Sequence, residues 1–343
     1  MKFDLEEMMS DLDQTPLEIL LRHTLKLANK SLDLWPIPED STARLINVSE
    51  NITYLIQSEG GFKAILRVHR ENYHSKRAIE CELAWIQALA ESGSVVTPGH
   101  YLGKDGEAIQ IGRIDELNSS RYMVLFHFVE GVQPDETGDL LKPFEELGEL
   151  AAKTHVHSIN WEKPENFERL TWDFDAVFGK NPTWGNWRDG PEMNPDFLKN
   201  LESTERTIKR RLEDFGMGKD RFGLIHADMR LANLLIDKNG TRLIDFDDCG
   251  LGWYLYDFAA AISFFEDDPR IPDLKKSWVR GYRKVRSLSE DEEIEIDTFV
   301  MMRRLALLAW IGSHIEAPEA QELAPGFAKV TNDLAISYMD KYG

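Results

Sequence analysis

Cysteine is scarce. The 343 residues hold two, Cys81 and Cys249. A disulfide framework is thereby excluded, and a reducing cytoplasm is the expected setting. No apolar run is long enough to span a bilayer, and residues 1–15 are acidic and polar where a secretory signal would be basic and then apolar. No membrane association is expected. Positive charge is also in deficit, with 40 Lys and Arg against 60 Asp and Glu and a net charge of −20. Nucleic acid phosphates need a basic face, and no stretch supplies one, so a nucleic-acid partner is not expected either. An acidic surface instead favours a cationic small molecule, such as an amine-bearing alcohol.

The chain does contain ample apolar residues, 42%, and enough length for a large core split into two lobes. Its most informative stretch runs from Leu224 to Asp257, LIHADMRLANLLIDKNGTRLIDFDDCGLGWYLYD. Two short strand patterns, Leu234–Ile236 and Arg242–Ile244, flank Asn239-Gly240, a strong hairpin signal. The hairpin gathers His226, Asp228, Arg230 and Asn233 from one flank and Asp245, Asp247 and Asp248 from the other. Crowded carboxylates call for a compensating cation. Hard oxygen donors without a Cys/His cluster suit Mg²⁺, which commonly takes its remaining ligands from phosphates.

The spacing His-x-Asp-x-x-x-x-Asn, then a hairpin, then Asp-Phe-Asp resembles the catalytic and metal-binding loops of the protein-kinase-like superfamily. His-Ala-Asp in place of His-Arg-Asp, followed by Trp-Tyr-Leu-Tyr-Asp-Phe-Ala, resembles its small-molecule branch, the aminoglycoside phosphotransferase/choline kinase family that includes homoserine-kinase-like enzymes. The Leu-Gly-x-x-x-Ala-x-x-His pattern ending at His155 resembles the same branch. The resemblance covers roughly residues 44–315. It implies an α+β, two-lobed protein-kinase-like fold. Residues 1–130 would form an N-lobe built on an antiparallel sheet, with a hinge at 126–131, and residues 131–343 a mostly helical C-lobe.

The N-terminal half is expected to open with a helix from Pro16, capped by Thr15. A strand meander follows over Arg44–Val48, Thr53–Gln57 and Ala64–His69. The first turn, Ser49-Glu50-Asn51, lacks the glycines that let a kinase loop wrap phosphates. Arg67 stands where the family's strand carries the nucleotide-binding Lys, and a guanidinium can fork across two phosphate oxygens. A helix over Lys76–Ala90 has its apolar face at Ile79, Leu83, Ile86, Leu89 and Ala90. Glu82 lies about 40° from the centre of that face and Glu80 about 120° away, so Glu82 is the expected partner of Arg67, with Glu80 the fallback. Tyr101–Gly112 reads as a hairpin turning at Lys104-Asp105-Gly106, and Arg121–Val129 as a buried strand. The family pattern puts Phe126 beside the adenine, the His127 carbonyl on its amino group and the Val129 N–H on a ring nitrogen.

Further helices are expected at 142–158, 196–215, 258–265, 278–282, 294–315 and 327–339. His155 and His157 face different ways on one helix, which argues for a packed and a solvated residue rather than a metal pair. The aromatic segment 161–190, with interleaved acids, either pins a loop to the core or meets an amine substrate. Arg303, Arg304 and His314 sit among apolar residues with no role assigned.

The resemblance implies transfer of the γ-phosphoryl of ATP, or of GTP as the alternative, to a hydroxyl of a small molecule. Asp228 would orient or accept the hydroxyl proton, Arg230 would support the transferring phosphoryl, and Asn233 and Asp245 would hold Mg²⁺. Arg67 and Glu82 would hold the α/β-phosphates. His226 and Asp257 would brace the catalytic loop, and Asp247 and Asp248 would serve substrate, a second metal or the loop. The competing expectation is a nucleotide-binding pseudokinase, favoured by the missing glycines and by Arg67. It is disfavoured by the presence of Asp228, Asn233 and Asp245.

Overall fold

A computed structural model describes residues 16–343 apart from 49, 50, 136 and 239. Thr15, Ser49, Glu50 and Asn239, to which the cap and turn expectations belong, lie outside the described residues. The chain forms two compact units, Met1–Glu80 with Pro98–Phe128, and Cys81–Thr97 with Val129–Gly343.

In the first unit, helix α1 (Pro16–Ser31) precedes strands β1 (Thr42–Val48), β2 (Ile52–Gln57) and β3 (Lys63–Val68). Helix α2 (Lys76–Glu91) starts there and ends in the second unit. Strands β4 (Gln110–Gly112) and β5 (Arg121–His127) complete an antiparallel sheet of order β1-β2-β3-β5-β4. Alternation in β2 and β3 points Ile52, Tyr54, Ile56, Ala64, Leu66 and Val68 into one core with Leu27, Trp35, Met123 and Leu125. The Tyr54 hydroxyl donates to Thr24 Oγ1 at 2.8 Å, tying α1 to the sheet. The hairpin expected over Tyr101–Gly112 does not form. The turn is present, with Gly106 N bonding Gly103 O, but β4 pairs with β5. Tyr101 N bonds Leu125 O and His100 bridges Phe126, so β5 takes both sides of the segment as partner.

The second unit is mostly helical: α3 (Leu141–Asn160), α4 (Phe174–Phe178), α5 (Pro195–Phe215), α6 (Tyr256–Ala261), α7 (Ile271–Arg283), α8 (Glu290–Ser313), α9 (Pro318–Leu323) and α10 (Phe327–Tyr342). Its strands are β6 (Leu170–Trp172), β7 (Phe222–Ile225), β8 (Leu234–Asp237), β9 (Gly240–Leu243) and β10 (Gly250–Trp253). They form a β6-β10-β7 sheet and a β8-β9 hairpin. The architecture is α+β, an antiparallel five-stranded sheet with a helical remainder. No helix among the described residues is long and apolar enough to cross a membrane. Both cysteines are buried and outside any disulfide, and burial pushes the Cys249 thiol up to about 12, so Cys249 is not poised to react.

Helix α6 stops earlier than expected. It ends at Ala261 with Ile262 as its cap, and Phe264, at a left-handed φ of 75°, then turns the chain toward Glu266. Helix α8 starts with a capping box, Ser289 with Glu292, in an acidic first turn, and from Phe299 to Ile311 it is buried almost throughout, as a central helix must be.

Helices α3 and α7 cross on reciprocal glycines. A Cβ added at Gly281 would meet Glu145 O at 1.8 Å, and one at Gly148 would meet Trp278 O at 2.0 Å. Each contact is with backbone, which no rotamer change relieves. Gly281→Ala is therefore expected to cost about 3 kcal/mol from overpacking, although alanine alone favours a helix by about 1 kcal/mol. A urea midpoint that is unchanged or raised would contradict the close crossing.

Candidate active site

The site lies where β7 meets the β8-β9 hairpin. β7 delivers His226 and Asp228 through a sharp backbone turn, Ala227 standing at φ 65°. The Asp228 side chain is 13% exposed, and both its oxygens are engaged. Oδ2 accepts from Asn233 Nδ2 at 2.7 Å, while Oδ1 lies 3.1 Å from Arg303 Nη2 and 3.3 Å from Arg230 Nε. Burial works against its charged form, but the Arg230 and Arg303 guanidiniums outweigh burial and hold the carboxyl below the ordinary aspartate range.

The hairpin then closes the arrangement. Leu234 pairs with Leu243, and Ile244 N donates to Asn233 O at 3.0 Å, so Asp245 follows directly beside Asn233. Asp245 is exposed and held at φ 58°, a conformation uncommon outside glycine. The structure thus brings Asp228, Asn233 and Asp245 into one locality, as the hairpin signal implies. Asn233 spends its amide nitrogen on Asp228, on the backbone oxygen at 2.9 Å as well as on Oδ2, which leaves its carbonyl oxygen as the atom available to a cation. Among the described residues no group of three or more His, Cys, Asp or Glu is placed to hold a metal. The donor set of one amide oxygen and one carboxylate fits Mg²⁺, which needs few protein ligands when phosphates and waters complete the shell. Arg230 bonds Glu319 of α9 at 3.3 Å as well as Asp228, and its guanidinium lies 5.6 Å from the Phe264 ring centre.

A buried network carries the loop. Asp257 Oδ1 accepts from Ala227 N at 2.7 Å, and Oδ2 accepts from His226 N at 3.2 Å and from His155 Nε2 at 2.9 Å. A carboxylate only accepts, so the His155 proton sits on Nε2, and Nδ1 accepts the Tyr282 hydroxyl at 2.9 Å. Asp228 N donates to His226 Nδ1 at 3.2 Å, so His226 donates from Nε2 to Ile244 O at 3.1 Å and links the two loops. The expected bracing contacts of His226 and Asp257 are present in this form. Burial lowers the pKa of both His155 and His226 despite the neighbouring carboxylates, and keeps them neutral.

A depressed folded-state pKa has a defined consequence. Above pH 6.5 neither state binds the proton and stability is full. Below 6.5 the unfolded chain binds it first, so each histidine is expected to remove about 1.4 kcal/mol per pH unit until its own lowered pKa is reached. Denaturation midpoints at pH 7.5, 6.5 and 5.5 check this, with His155→Gln flattening the slope. A midpoint independent of pH over that range would refute it.

The other expected residues occupy the following places. Arg67 lies on β3 in the first unit, buried, its guanidinium 4.9 Å from the Phe126 ring centre. Glu82 is fully buried on α2 in the second unit, as its angle on the apolar face predicts, and lies 3.9 Å from Arg169 Nη1. His127 ends β5, with its N–H on Gly99 O at 2.8 Å, and Val129 follows just before Gly131 at φ 153°. The Asp247 and Asp248 carbonyls are gripped from the aromatic segment, by Arg169 and by Trp172 Nε1 respectively, the latter at 2.8 Å. Trp172, Trp184 and Trp187 are buried.

Sequence reasoning missed the role of Arg303, which reaches Asp228 from α8 across 75 residues of chain. The available signal was two arginines inside an apolar helix, since a buried guanidinium requires acceptors. Its neighbour Arg304 pairs with buried Glu266 at 2.5 Å.

A loop-borne carboxylate flanked by an amide and a second carboxylate, carried on this α+β scaffold, defines a class of phosphoryl-transfer proteins. Residues 42–288 match the model of the phosphotransferase enzyme family, and the chain belongs to that family. It is 40% identical to a microcompartment-associated aminopropanol kinase of known structure, with 93% of this chain and 98% of that one covered at a TM-score of 0.86. A solved amicoumacin kinase, in complex with AMP-PNP, Ca²⁺ and Ami, shares the fold at 18% identity and a TM-score of 0.74, covering 93% of this chain and 96% of that one. The amicoumacin kinase of Bacillus subtilis (strain 168) is 23% identical over 315 residues, 87% of this chain and 89% of its own.

Proposed function

We propose that the chain transfers the γ-phosphoryl group of ATP, with Mg²⁺, to the hydroxyl of a small amino alcohol. The observation that carries this is the Asp228–Asn233 contact at 2.7 Å, with Asp245 beside it through the Ile244–Asn233 backbone bond. The likeness to an aminopropanol kinase and the net charge of −20 both favour an amine-bearing acceptor. Residues 1–130 would serve as the nucleotide lobe and 131–343 as the substrate lobe.

In this reading Asp228 accepts a hydrogen bond from the acceptor hydroxyl and aims its oxygen at the phosphorus. Its lowered pKa suits an orienting group that takes the proton late, once the new O–P bond has made the hydroxyl acidic. Arg230 exchanges its contact with Asp228 for the phosphoryl oxygens. Asn233 Oδ1 and Asp245 hold Mg²⁺, which when bound neutralises charge on the phosphates. Arg67 and Glu82 serve the α/β-phosphates, and the His127 carbonyl and Val129 N–H serve the adenine.

The test is a Mg²⁺–ATP screen against 1-amino-2-propanol, ethanolamine, choline, homoserine and simple sugars, with products identified by mass. The expected result is an amino alcohol heavier by one phosphoryl group, a preference for ATP over GTP, and loss of turnover on chelation. Nucleotide binding without turnover across the panel would instead support a pseudokinase, the reading that Arg67 in the lysine place favours.

A further inference from the structure

We propose that Arg303 is a positioning residue for phosphoryl transfer, fixing the Asp228 carboxylate from α8 while Trp184 and Tyr256 clamp its guanidinium. This rests on the phosphotransferase reading above. Arg303 is 2% exposed, and each of its three nitrogens has its own acceptor. Nε donates to Ser263 Oγ at 3.0 Å, Nη1 to Ala227 O at 3.2 Å, and Nη2 to Asp228 Oδ1 at 3.1 Å. The guanidinium carbon lies 4.9 Å from the Trp184 ring centre and 5.7 Å from that of Tyr256.

Three side chains hold Asp228, and two of them have other work in the reaction. Arg230 would turn to the phosphoryl, and its contact with Asp228 then weakens; Asn233 would share its amide between Asp228, through Nδ2, and a cation, through Oδ1. Arg303 has no such second duty. It grips the carboxylate and also the carbonyl of Ala227, the residue whose left-handed backbone aims Asp228. The planar fork meets the side-chain and the backbone oxygen from two nitrogens held at fixed spacing, a geometry that the single nitrogen of an ammonium does not reproduce. Filling the space alone would not call for a charge, because an apolar side chain of similar volume avoids the desolvation cost. The aromatic segment thereby gains a purpose: Trp184 packs the guanidinium into place.

The experiment measures kcat, KM and nucleotide affinity for Arg303→Met, Arg303→Lys and Ser263→Ala, and for Arg303→Met combined with Asp228→Asn. Arg303→Met is expected to lower kcat about 100-fold, the scale of a misplaced catalytic group, with both KM values and nucleotide affinity within about threefold of the unaltered protein. Arg303→Lys should recover about a tenth of the lost rate, and Ser263→Ala should lose about threefold in kcat alone. In the Asp228→Asn background, Arg303→Met should cost less than about threefold more, because the group it positions has gone. An equal loss in both backgrounds, or nucleotide affinity falling in step with kcat, would overturn the role. Should Arg303→Met not fold, unaltered kcat in both Arg303→Lys and Ser263→Ala would overturn it. No turnover in the unaltered protein would remove the phosphotransferase reading and this role together. Turnover with Arg303→Met equal to the unaltered protein would remove this role alone.

Discussion

Asp228→Asn is expected to lower kcat about 1000-fold, some 4 kcal/mol of transition-state stabilisation, while the protein folds and binds nucleotide. The substitution keeps the shape of the side chain and removes its charge. An amide offers one accepting oxygen, whereas Asp228 now meets Asn233 Nδ2 on one oxygen and Arg303 Nη2 on the other. Whichever way the amide turns, its NH₂ faces a donor, and the acceptor hydroxyl loses the group that aims it. Folding should suffer less. Arg303 retains Ser263 and Ala227, and Arg230 retains Glu319. Nucleotide affinity should hold or rise slightly, because a negative charge near the phosphates is gone. Steady-state kinetics with a titration of nucleotide decide the matter, and a kcat within threefold of the unaltered protein would strip Asp228 of its role.

What could be read from the chain was mostly what lies close together along it. His226, Asp228, Asn233 and Asp245 fall within one strand-loop-hairpin run, and the β8-β9 pairing brings them together by local geometry alone. Helical periodicity likewise placed Glu82 on the buried side of α2. The partners that set the chemistry come from far away in sequence. Arg303 is 75 residues from Asp228, Arg169 is 78 from Asp247, and His155 is 102 from Asp257. A lone buried Arg or His signals that some acceptor exists without saying which, because many carboxylates and carbonyls satisfy the same requirement. The end of α6 was hidden for a related reason. Nothing in the run Phe258–Phe265 forbids a helix, yet the chain leaves it after Ala261, and Phe264, at φ 75°, packs near Trp310 and Phe327, a tertiary contact that local propensity does not report.

The largest effect on stability is expected at Asp257, which the sequence marks only as a brace. Its carboxylate is fully buried and satisfies three donors: the backbone N–H groups of His226 and Ala227 and the ring N–H of His155. Asp257→Ala removes all three acceptor contacts, and each donor left buried and unpaired costs about 1–3 kcal/mol. Partial relaxation and water entry reduce the sum, so a loss of about 4 kcal/mol is expected, a large part of the 5–15 kcal/mol typical of a folded protein. Asp257→Asn should be milder, about 2 kcal/mol. Its remaining oxygen can keep the Ala227 N–H, and His155 can move its proton to Nδ1 and accept from the new amide. Because asparagine keeps the volume, the cost of Asp257→Asn isolates the lost acceptor, and the further cost of Asp257→Ala adds the remaining acceptor and the volume. Both variants should also lower kcat more than their folded fraction explains, because the two N–H bonds hold the backbone at Ala227 that aims Asp228. Denaturant unfolding of the two variants, with kcat corrected for the folded fraction, tests this. Equal midpoints for Asp257→Ala and the unaltered protein would mean that the network does not carry the loop.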